Sequence, residues 1–228
     1  MSSNEMTERN SAKETDRVSA QVAEFTHGRV PRELRKRQVL AVAGELFVER
    51  GFVDASMDEL ARRVGVSKPV IYDLIGSKEA LFGEVVAVEA AELAAAVEQA
   101  VIREAEPEAR LYAGALAFFR FAEERREAWD RLLIADAAPV NAELAATRRF
   151  HRKAVANLLA RDAPESGNQA DPMLLEACAQ AINGAFEALA MWWKEHPEVS
   201  AETLAALASG LVARGLQGLS EGPRSKAP

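Results

Sequence analysis

The side chains best suited to bind another molecule lie close together in the sequence, between Ser56 and Lys78. Lysine, serine and tyrosine side chains can donate hydrogen bonds to phosphate oxygens, and the free N–H groups at a helix start also favour anions. In a major groove, lysine can donate to guanine and a carboxylate can accept from cytosine. The chemistry that this stretch predicts is therefore noncovalent recognition of duplex DNA.

Glycines and capping residues divide this stretch into short helices. Gly51 ends a first helix, because glycine adopts the left-handed conformation at low cost. Ser56 and Glu59 have the spacing of a capping box, which starts a second helix, and Gly65 ends that helix after about two turns. Ser67 then caps a third helix at once, and Ser77 caps a longer helix that follows. Two short helices joined by a tight glycine turn predict a helix-turn-helix, which places its second helix in the major groove.

The helix predicted at about 68–75 has one face for the protein core and one for DNA. Ile71 and Ile75 are one helical turn apart, so we expect both to face inward with the apolar stripe. The opposite face is then expected to read bases, while neighbouring helix starts contact phosphates. Arg29 and Arg32 are further candidates for backbone or minor-groove contacts. The predicted DNA-binding residues are Arg35, Ser56, Ser67, Lys68, Pro69, Val70, Tyr72, Asp73 and Lys78.

These candidates differ in the part of DNA that each one suits. Lys68 can donate to guanine O6 or N7, and Pro69 and Val70 suit a thymine methyl group. Asp73 can accept from cytosine N4, but a carboxylate near phosphates is repelled unless a donor meets it. That repulsion would also disfavour wrong sequences. The Ser56 hydroxyl and the N–H groups beside it would meet a phosphate. The alternative for each residue is a structural role, as a helix cap, a packing residue or a solvated charge.

Composition and charge favour a helical protein in a reducing compartment. The 228 residues are 49% hydrophobic and 28% charged, which allows a sizeable core. The net charge is −7, yet residues 29–37 contain five Lys or Arg and one Glu. Only the surface that touches phosphates need be positive. The single cysteine, Cys178, excludes an internal disulfide framework. We identify neither a signal peptide nor a membrane span, so we expect a cytoplasmic protein without membrane contact.

Apolar residues recur at helical spacing along most of the chain, and neither a strand pattern nor a repeat is evident. We therefore predict an all-α protein of about nine helices. Residues 1–28 are polar with few large apolar groups, which predicts a disordered N-terminal extension. The remaining boundaries predict a three-helix DNA-binding domain at 29–76, a larger helical domain at 77–220 and a tail at 221–228.

No spacing of side chains in the sequence indicates catalysis or a metal. The three histidines, His27, His151 and His196, are far apart, and Cys178 is expected to be a small core residue. The sequence contains no glycine-rich phosphate loop, nucleophile elbow or paired-carboxylate motif. We therefore expect that the protein is not an enzyme and binds neither a metal nor a cofactor.

The order of these features resembles the TetR family of bacterial transcriptional regulators. The resemblance is specific over residues 35–85, and elsewhere it covers helix count and length only. One departure is Asp73-Leu74-Ile75 after the tyrosine, where the family often has x-His-Phe. Asp73 and Leu74 thus replace groups that commonly face DNA, which predicts unusual operator contacts. The matching features are Phe47-x-x-x-Gly51-Phe52, Ser56-x-x-Glu59-Leu60-Ala61, Val64-Gly65-Val66-Ser67, Tyr72 and Ser77-Lys78-x-x-Leu81.

The resemblance implies a homodimer whose C-terminal domain binds a small ligand that lowers its affinity for DNA. It also implies that Tyr72 and Lys78 contact phosphates. We expect a repressor that binds a pseudo-palindromic operator as a dimer and is released by a small apolar effector. The alternative is a helical ligand-binding or hydrolase-like bundle in which the helix-turn-helix is incidental. Binding to duplex DNA that weakens steeply with salt would separate the two.

The larger helical domain contains candidate residues for an effector and for dimerisation. We expect the effector between helices at about 107–126, 139–161 and 171–195, unless the aromatic residues there only fill a core. The last two helices, the second at about 200–219, are expected to form a four-helix interface, unless they pack only within the monomer. The candidate interface residues are Leu204, Leu207, Ala208, Leu211 and Gly215, and the candidate ligand-binding residues are Phe118, Phe119, Phe150, Asn183, Phe186 and Trp192.

Overall fold

The computed structural model describes residues 15–25, 30–126, 149, 153, 155–157 and 171–220, and every regular element within them is a helix. The all-α prediction is therefore confirmed. Most of the predicted helix at about 139–161 lies outside the described residues. The helices with defined bounds are α1 (15–23), α2 (Arg32–Asp54), α3 (Met57–Val64), α4 (Lys68–Ile75), α5 (Lys78–Val101), α6 (Pro107–Glu124), α7 (Pro172–Trp193) and α8 (Ala201–Ser220).

The chain divides into two compact units, and the division falls inside α5. Unit 1 comprises Met1–Glu89 and Glu124–Thr147, and unit 2 comprises Ala90–Glu123 and Arg148–Pro228. The predicted boundary lay between residues 76 and 77. The first turns of α5 instead belong with the N-terminal helices, because their apolar side chains complete the core of unit 1.

The core of unit 1 joins α2, α3, α4 and the start of α5. Three phenylalanine rings form its aromatic centre: the Phe82 ring centroid lies 5.1 Å from those of Phe47 and Phe52. Ile71 of α4 is fully buried in the same core. Because one large apolar cluster holds all four helices, the orientation of α3 and α4 is set by packing. The other fully buried large side chains of this core are Val39, Leu46, Leu60, Leu81 and Val86.

Glycines in the left-handed region separate the helices of unit 1. Gly65 ends α3 with φ 76° and ψ 34°, and its N–H donates to the Ala61 carbonyl. Gly51 has φ 75° and breaks the helical path of α2 near its end, as the sequence predicted. Gly76, between α4 and α5, has φ 102°. A residue with a Cβ would be strained at these positions, so the glycines determine where the helices end.

The predicted helix caps are confirmed in two places and wrong in two. The Ser56 hydroxyl accepts from the Asp58 N–H at 3.2 Å, and the Ser77 hydroxyl accepts from the Ala80 N–H at 3.0 Å. The second half of the capping box, in which Glu59 would accept from the Ser56 main-chain N–H, does not form. The Glu59 carboxylate accepts from Arg63 instead. Ser67 occupies the N-cap position of α4, but its side chain makes no capping hydrogen bond.

Part of the N-terminal extension is folded, which corrects the expectation of disorder for residues 15–23. These residues form α1, and Val18 is 1% exposed. Burial raises the pKa of Glu45 on α2, and the carboxylates of Glu49 and Asp16 raise it further. The low apolar content of residues 1–28 as a whole concealed one short segment that can bury a side chain. Residues 1–14 and 26–28 lie outside the described part of the chain.

The core of unit 2 is built by α6, α7 and α8. Phe119 is fully buried, and its ring centroid lies 6.0 Å from that of Trp193. The Trp193 indole N–H donates to the Val199 carbonyl at 2.6 Å, so the buried polar atom is satisfied. Where α5 and α6 approach each other, a Cβ on Gly114 would lie 3.1 Å from a Val101 methyl group. None of the helices in the described ranges is long and apolar enough to cross a membrane.

Candidate nucleic-acid interface

The helix-turn-helix is formed by α3 and α4, and its inner face is apolar. Leu60 and Ile71 are buried in the core of unit 1, and Leu74 and Ile75 are half-buried against it. Leu74 therefore points toward the protein, and the expectation that it replaces a DNA-facing group is wrong. On an α-helix, residues three and four apart share a face, so the inward positions define the outward ones.

The outward face of α4 contains the residues that the sequence predicted to read bases. Pro69 and Asp73 are exposed, and Val70 and Tyr72 are each 40% exposed. An α-helix fits the major groove, so this face can approach base edges once the helix lies there. Ser67 is also exposed, and its hydroxyl is not used as a cap, which leaves it available to donate to a phosphate.

Lys68 begins α4 and has a protein partner before any DNA is bound. Its Nζ lies 2.9 Å from Asp58 Oδ2, and both side chains are substantially exposed. This hydrogen bond raises the pKa of Lys68, because it stabilises the charged ammonium. Lys68 can contact guanine only if it exchanges its Asp58 partner for a base. The competing role of Asp58 was not predicted from the sequence.

Asp73, near the end of α4, is bound by Arg32 from the start of α2. Arg32 Nη1 donates to Asp73 Oδ2 at 2.8 Å, and Nη2 donates to the Asp73 main-chain carbonyl at 2.7 Å. From the sequence, Arg32 was predicted to contact the DNA backbone or minor groove. In the structure its guanidinium supplies the donor that a carboxylate near phosphates needs.

Lys78, in the first turn of α5, lies against the end of α2. Its Nζ donates to the Val53 carbonyl at 3.1 Å and lies 4.8 Å from the Phe52 ring centroid. The main-chain N–H of Glu79 lowers the pKa of its own carboxyl, which also accepts from Ser77. The free N–H groups of a helix start can attract a phosphate, because they form the positive end of the helix. Lys78 and the start of α5 thus offer one site for an anion.

Arg35 and Ser56 complete the predicted set, while Arg29 lies outside the described residues. The Arg35 guanidinium donates to Gln38 Oε1 at 2.6 Å, and Gln38 is buried. Ser56 is exposed at the start of α3, where its hydroxyl already serves as the cap. Arg35 is therefore oriented by its own helix, and Ser56 contributes chiefly by ordering the N–H groups of α3.

A three-residue ion cluster that the sequence analysis missed fastens α3 to α2. Arg63 donates to both carboxylate oxygens of Glu49, at 2.9 and 2.6 Å, and to Glu59 at 2.6 Å. The Arg63 hydrogen bonds lower the pKa values of Glu49 and Glu59. Glu59 and Arg63 are four residues apart on one helix, and this spacing could have indicated the ion pair between them. No such local signal points to the pair of Arg63 with Glu49.

In unit 2 the structure brings together three of the six predicted ligand-binding residues. The Phe118 ring centroid lies 5.2 Å from that of Phe119 and 5.3 Å from that of Phe186. Asn183, one turn before Phe186 on α7, has a buried Nδ2 without a hydrogen-bond partner in the described part of the chain. Phe150 lies outside the described residues.

Trp192 does not join this aromatic cluster, and Trp193 takes its place. Trp192 is partly exposed and stacks on His196, with ring centroids 3.9 Å apart. Trp193 packs on Phe119 instead. Neighbouring residues on a helix point about 100° apart, so only one of two adjacent tryptophans can face the same cluster.

The predicted dimerisation stripe on α8 divides into a buried half and an exposed half. Leu204 and Ala208 are buried in the core of unit 2, which corrects their assignment to an interface. Leu207 and Leu211 are about half exposed, and Gly215 is exposed. On the adjacent helix α7, large apolar side chains are exposed as well: Met173, Leu174, Met191 and Trp192.

Comparison with known proteins agrees with this geometry. The family model for bacterial regulatory proteins of the tetR family matches residues 39–85. The chain is 33% identical over 161 residues to the HTH-type transcriptional activator FasR of Mycolicibacterium smegmatis, an alignment covering 69% of this chain and 73% of FasR.

Solved structures show the same fold. A TetR-like transcriptional regulator from Rhodococcus sp. RHA1 is 29% identical with a TM-score of 0.59, over 83% of this chain and 100% of that one. The Bacillus subtilis regulator FadR, solved in complex with stearoyl-CoA, shares the fold at 15% identity with a TM-score of 0.63, over 78% and 97% of the two chains. The helix-turn-helix, its match to the family model and its likeness to FasR establish that this chain belongs to the TetR family of DNA-binding transcriptional regulators.

Proposed function

We propose that this protein is a ligand-responsive regulator that binds a pseudo-palindromic operator as a homodimer. The observation that carries the proposal is the outward face of α4, where Lys68, Val70, Tyr72 and Asp73 reach solvent while Ile71 anchors the helix in the core. Base edges in a major groove are read by hydrogen-bonding and apolar side chains, and this face offers both. Contacts from Ser56, Ser67 and Lys78 would hold the helix against the phosphate backbone.

Dimerisation is supported by the apolar side chains that α7 and α8 expose. Six of them, spread over two helices that pack together, are between 43% and 70% exposed in the single chain. Exposed alanines and Gly184 lie between them on α7, and small residues allow helices to approach closely. A second copy of the same face would cover both helices and form a four-helix interface with two-fold symmetry. The two copies of α4, which would read the bases, are related by that symmetry, so we expect inverted half-sites in the operator.

An effector site is proposed at the aromatic cluster of Phe118, Phe119 and Phe186. The buried, unpartnered Nδ2 of Asn183 supports a ligand with a hydrogen-bond acceptor, because an unsatisfied buried donor costs about 1–3 kcal/mol. The aromatic rings favour an apolar body for the same molecule. We therefore propose an uncharged, cationic or lipid-like effector with at least one acceptor oxygen or nitrogen.

The effector would act by binding one conformation of the protein more tightly than another. A ligand shifts a conformational equilibrium only by its difference in affinity for the two states. Helix α5 begins at Lys78, directly after the helix-turn-helix in the sequence, and its second half, residues 90–101, belongs to unit 2. We propose that a movement of α5 changes the separation of the two reading helices in the dimer. The sequence predicted release from the operator, and that remains the expected direction.

Repression remains the predicted outcome of operator binding, and activation is the second candidate. Activation is favoured by one observation: the relative FasR is a transcriptional activator. A bound regulator represses transcription when it blocks the polymerase, and it activates transcription when it recruits the polymerase. The position of the operator therefore determines which effect is seen. A reporter gene behind the protein's own target promoter, measured with and without the protein, distinguishes the two results.

The proposal is tested first by the binding of purified full-length protein to duplex DNA at several salt concentrations. We expect a dimeric mass by light scattering and an affinity for duplex DNA that falls steeply with salt, because phosphate contacts release counterions. Binding that is absent, or that does not change with salt, would favour a helical ligand-binding bundle in which the helix-turn-helix is incidental.

A further inference from the structure

Arg32 makes two hydrogen bonds to one residue on the outward face of α4. It reaches across 41 residues of sequence to Asp73, binding one carboxylate oxygen and the main-chain carbonyl. The Asp73 side chain is still 74% exposed. Its second carboxylate oxygen, Oδ1, accepts no hydrogen bond from the described residues and is therefore available to an outside donor.

The two hydrogen bonds from Arg32 favour one direction of the Asp73 carboxylate. A guanidinium is planar and its N–H groups form a rigid fork, so two bonds to one residue restrict the rotation of the acceptor. The positive charge also offsets the repulsion between the carboxylate and nearby phosphates. An isolated aspartate on a reading helix would weaken binding to every sequence. An aspartate paired in this way can instead favour one sequence over others.

Cytosine is the base that suits a carboxylate in the major groove. Guanine presents two acceptors there and thymine presents one, and all three repel a carboxylate oxygen. Adenine presents an amino donor beside the N7 acceptor. Cytosine presents only its N4 amino donor. A carboxylate held against base edges therefore discriminates in favour of cytosine.

We propose that Arg32 is a positioning residue that presents Asp73 to the N4 amino group of one cytosine in each operator half-site. This rests on the proposed function, because it requires α4 to lie in the major groove. Two of the donor groups of Arg32 are engaged by Asp73, so its main role is in base selection. Arg32 would thus act on a base through Asp73, in place of the contact with the DNA backbone that the sequence suggested.

The experiment selects binding sites from a random duplex library with the full-length protein and its variants. The wild-type protein is expected to prefer cytosine about 10- to 100-fold at one position of each half-site. Asp73→Asn is expected to move that preference to adenine, because an amide pairs with adenine N6 and N7. Asp73→Ala is expected to lose the preference at that position alone.

Variants of Arg32 test the positioning role. Arg32→Ala and Arg32→Lys are expected to lose most of the cytosine preference, because neither side chain provides the fork, whereas Arg32→Lys keeps the positive charge and hence most of the overall affinity. Lys36→Ala is the matched control: it removes one positive charge from the same helix, where Lys36 pairs with Glu84 at 2.7 Å. It is expected to weaken binding without changing any base preference. In an Asp73→Ala background, Arg32→Ala is expected to have no further effect on base preference.

Three outcomes would overturn the proposal, and they are distinguishable from one another. If the wild type selects an operator but Asp73→Asn leaves every base preference unchanged, the ion pair only ties α2 to α4. If Asp73→Asn changes the preference but both Arg32 variants behave like Lys36→Ala, the positioning role is wrong. If the wild type selects no sequence at all while it binds duplex DNA, the operator function fails as well. Melting temperatures of all variants identify any loss of folding.

Discussion

The two units differ in what their outer faces leave unsatisfied. On unit 1, the charged groups expected to meet DNA already have partners within the chain. Lys68 pairs with Asp58, Asp73 pairs with Arg32, and Lys78 donates to the Val53 carbonyl. On unit 2, α7 and α8 expose large apolar side chains to water. On the first face the charged groups have partners without DNA: Lys68 must exchange Asp58 to contact a base, whereas Asp73 can keep Arg32. On the second face the apolar side chains stay exposed in the single chain.

This difference predicts two kinds of binding with different physical signatures. Exchange of ion pairs for phosphates releases counterions, so DNA binding should weaken strongly with salt. Burial of apolar surface contributes about 25 cal/mol for each Å² and depends little on ionic strength. The dimer should therefore persist at salt concentrations that remove the protein from DNA. Variants of each face separate the two contributions.

The largest effect is expected from Leu211→Arg on the exposed face of α8. A buried, unpaired guanidinium in an apolar interface is strongly unfavourable, so the variant should be monomeric at micromolar concentration. Because two half-sites are then bound independently, operator affinity should fall about 100-fold or more. Leu211→Met is the control, since it keeps the apolar contact and should stay dimeric. Light scattering and gel shifts measure both properties, and an unchanged dimer in Leu211→Arg would place the interface elsewhere.

The next effect concerns the two lysines of unit 1. Lys68→Ala should cost about 1–3 kcal/mol on the preferred operator and relax one base position, whereas Lys78→Ala should weaken binding to all sequences and reduce the salt slope by about 1. Arg103→Ala, which removes an exposed charge in the turn after α5, controls for net charge. Gel shifts over a salt series measure each slope. If both lysine variants bound like the wild type, the assignment of the docking face would be wrong.

A smaller effect on stability is expected from the ion cluster that holds α3 to α2. Arg63→Ala should lower the free energy of unfolding by about 1 kcal/mol at pH 7, because four partly solvated hydrogen bonds are lost. Arg62→Ala is the matched control, since Arg62 is more exposed and lies 3.8 Å from Glu59. Denaturant unfolding measures both variants.

The same cluster predicts the direction of a pH effect. Arg63 lowers the pKa values of Glu49 and Glu59 in the folded state below the ordinary value of 4.5. Their stabilisation is therefore complete above about pH 4.5 and is lost as the pH falls through the folded-state pKa values. The difference between wild type and Arg63→Ala should shrink in acid. A difference that grows in acid would contradict this account.

The smallest effect is expected from Asp58→Asn, which frees Lys68 and removes a negative charge from the surface expected to meet DNA. Binding to duplex DNA should tighten about two- to fivefold, as expected for one exposed ion pair. Asp54→Asn makes the same change of charge at an exposed position at the end of α2 and should have less effect. Weaker binding by Asp58→Asn would mean that Asp58 holds Lys68 in the position that it needs for DNA.

Local features of the fold could be predicted from the sequence because they depend on neighbouring residues. Gly65 requires a left-handed backbone, Ser77 caps the helix that follows it, and Ile71 lies on the inward stripe of a short helix. Each of these signals spans no more than five residues. The same local rules failed for Ser67 and Glu59, since a side chain that can cap a helix can also bind elsewhere.

Features that depend on distant residues could not be predicted. Arg32 and Asp73 are 41 residues apart in sequence, and only the packing of α2 against α4 brings them together. The choice between Trp192 and Trp193 depends on the rotation of α7 about its axis, which a run of apolar residues does not specify. The buried and exposed leucines of α8 share one periodic stripe, and only the packed core separates Leu204 from Leu207.

The account is tested most directly by comparing the selected operator with a duplex that contains only one half-site. A dimer that reads DNA with two copies of α4 should bind the intact operator with an even number of chains and lose about 100-fold or more in affinity for the single half-site. Equal affinity for both duplexes, with one chain bound to each, would contradict the account.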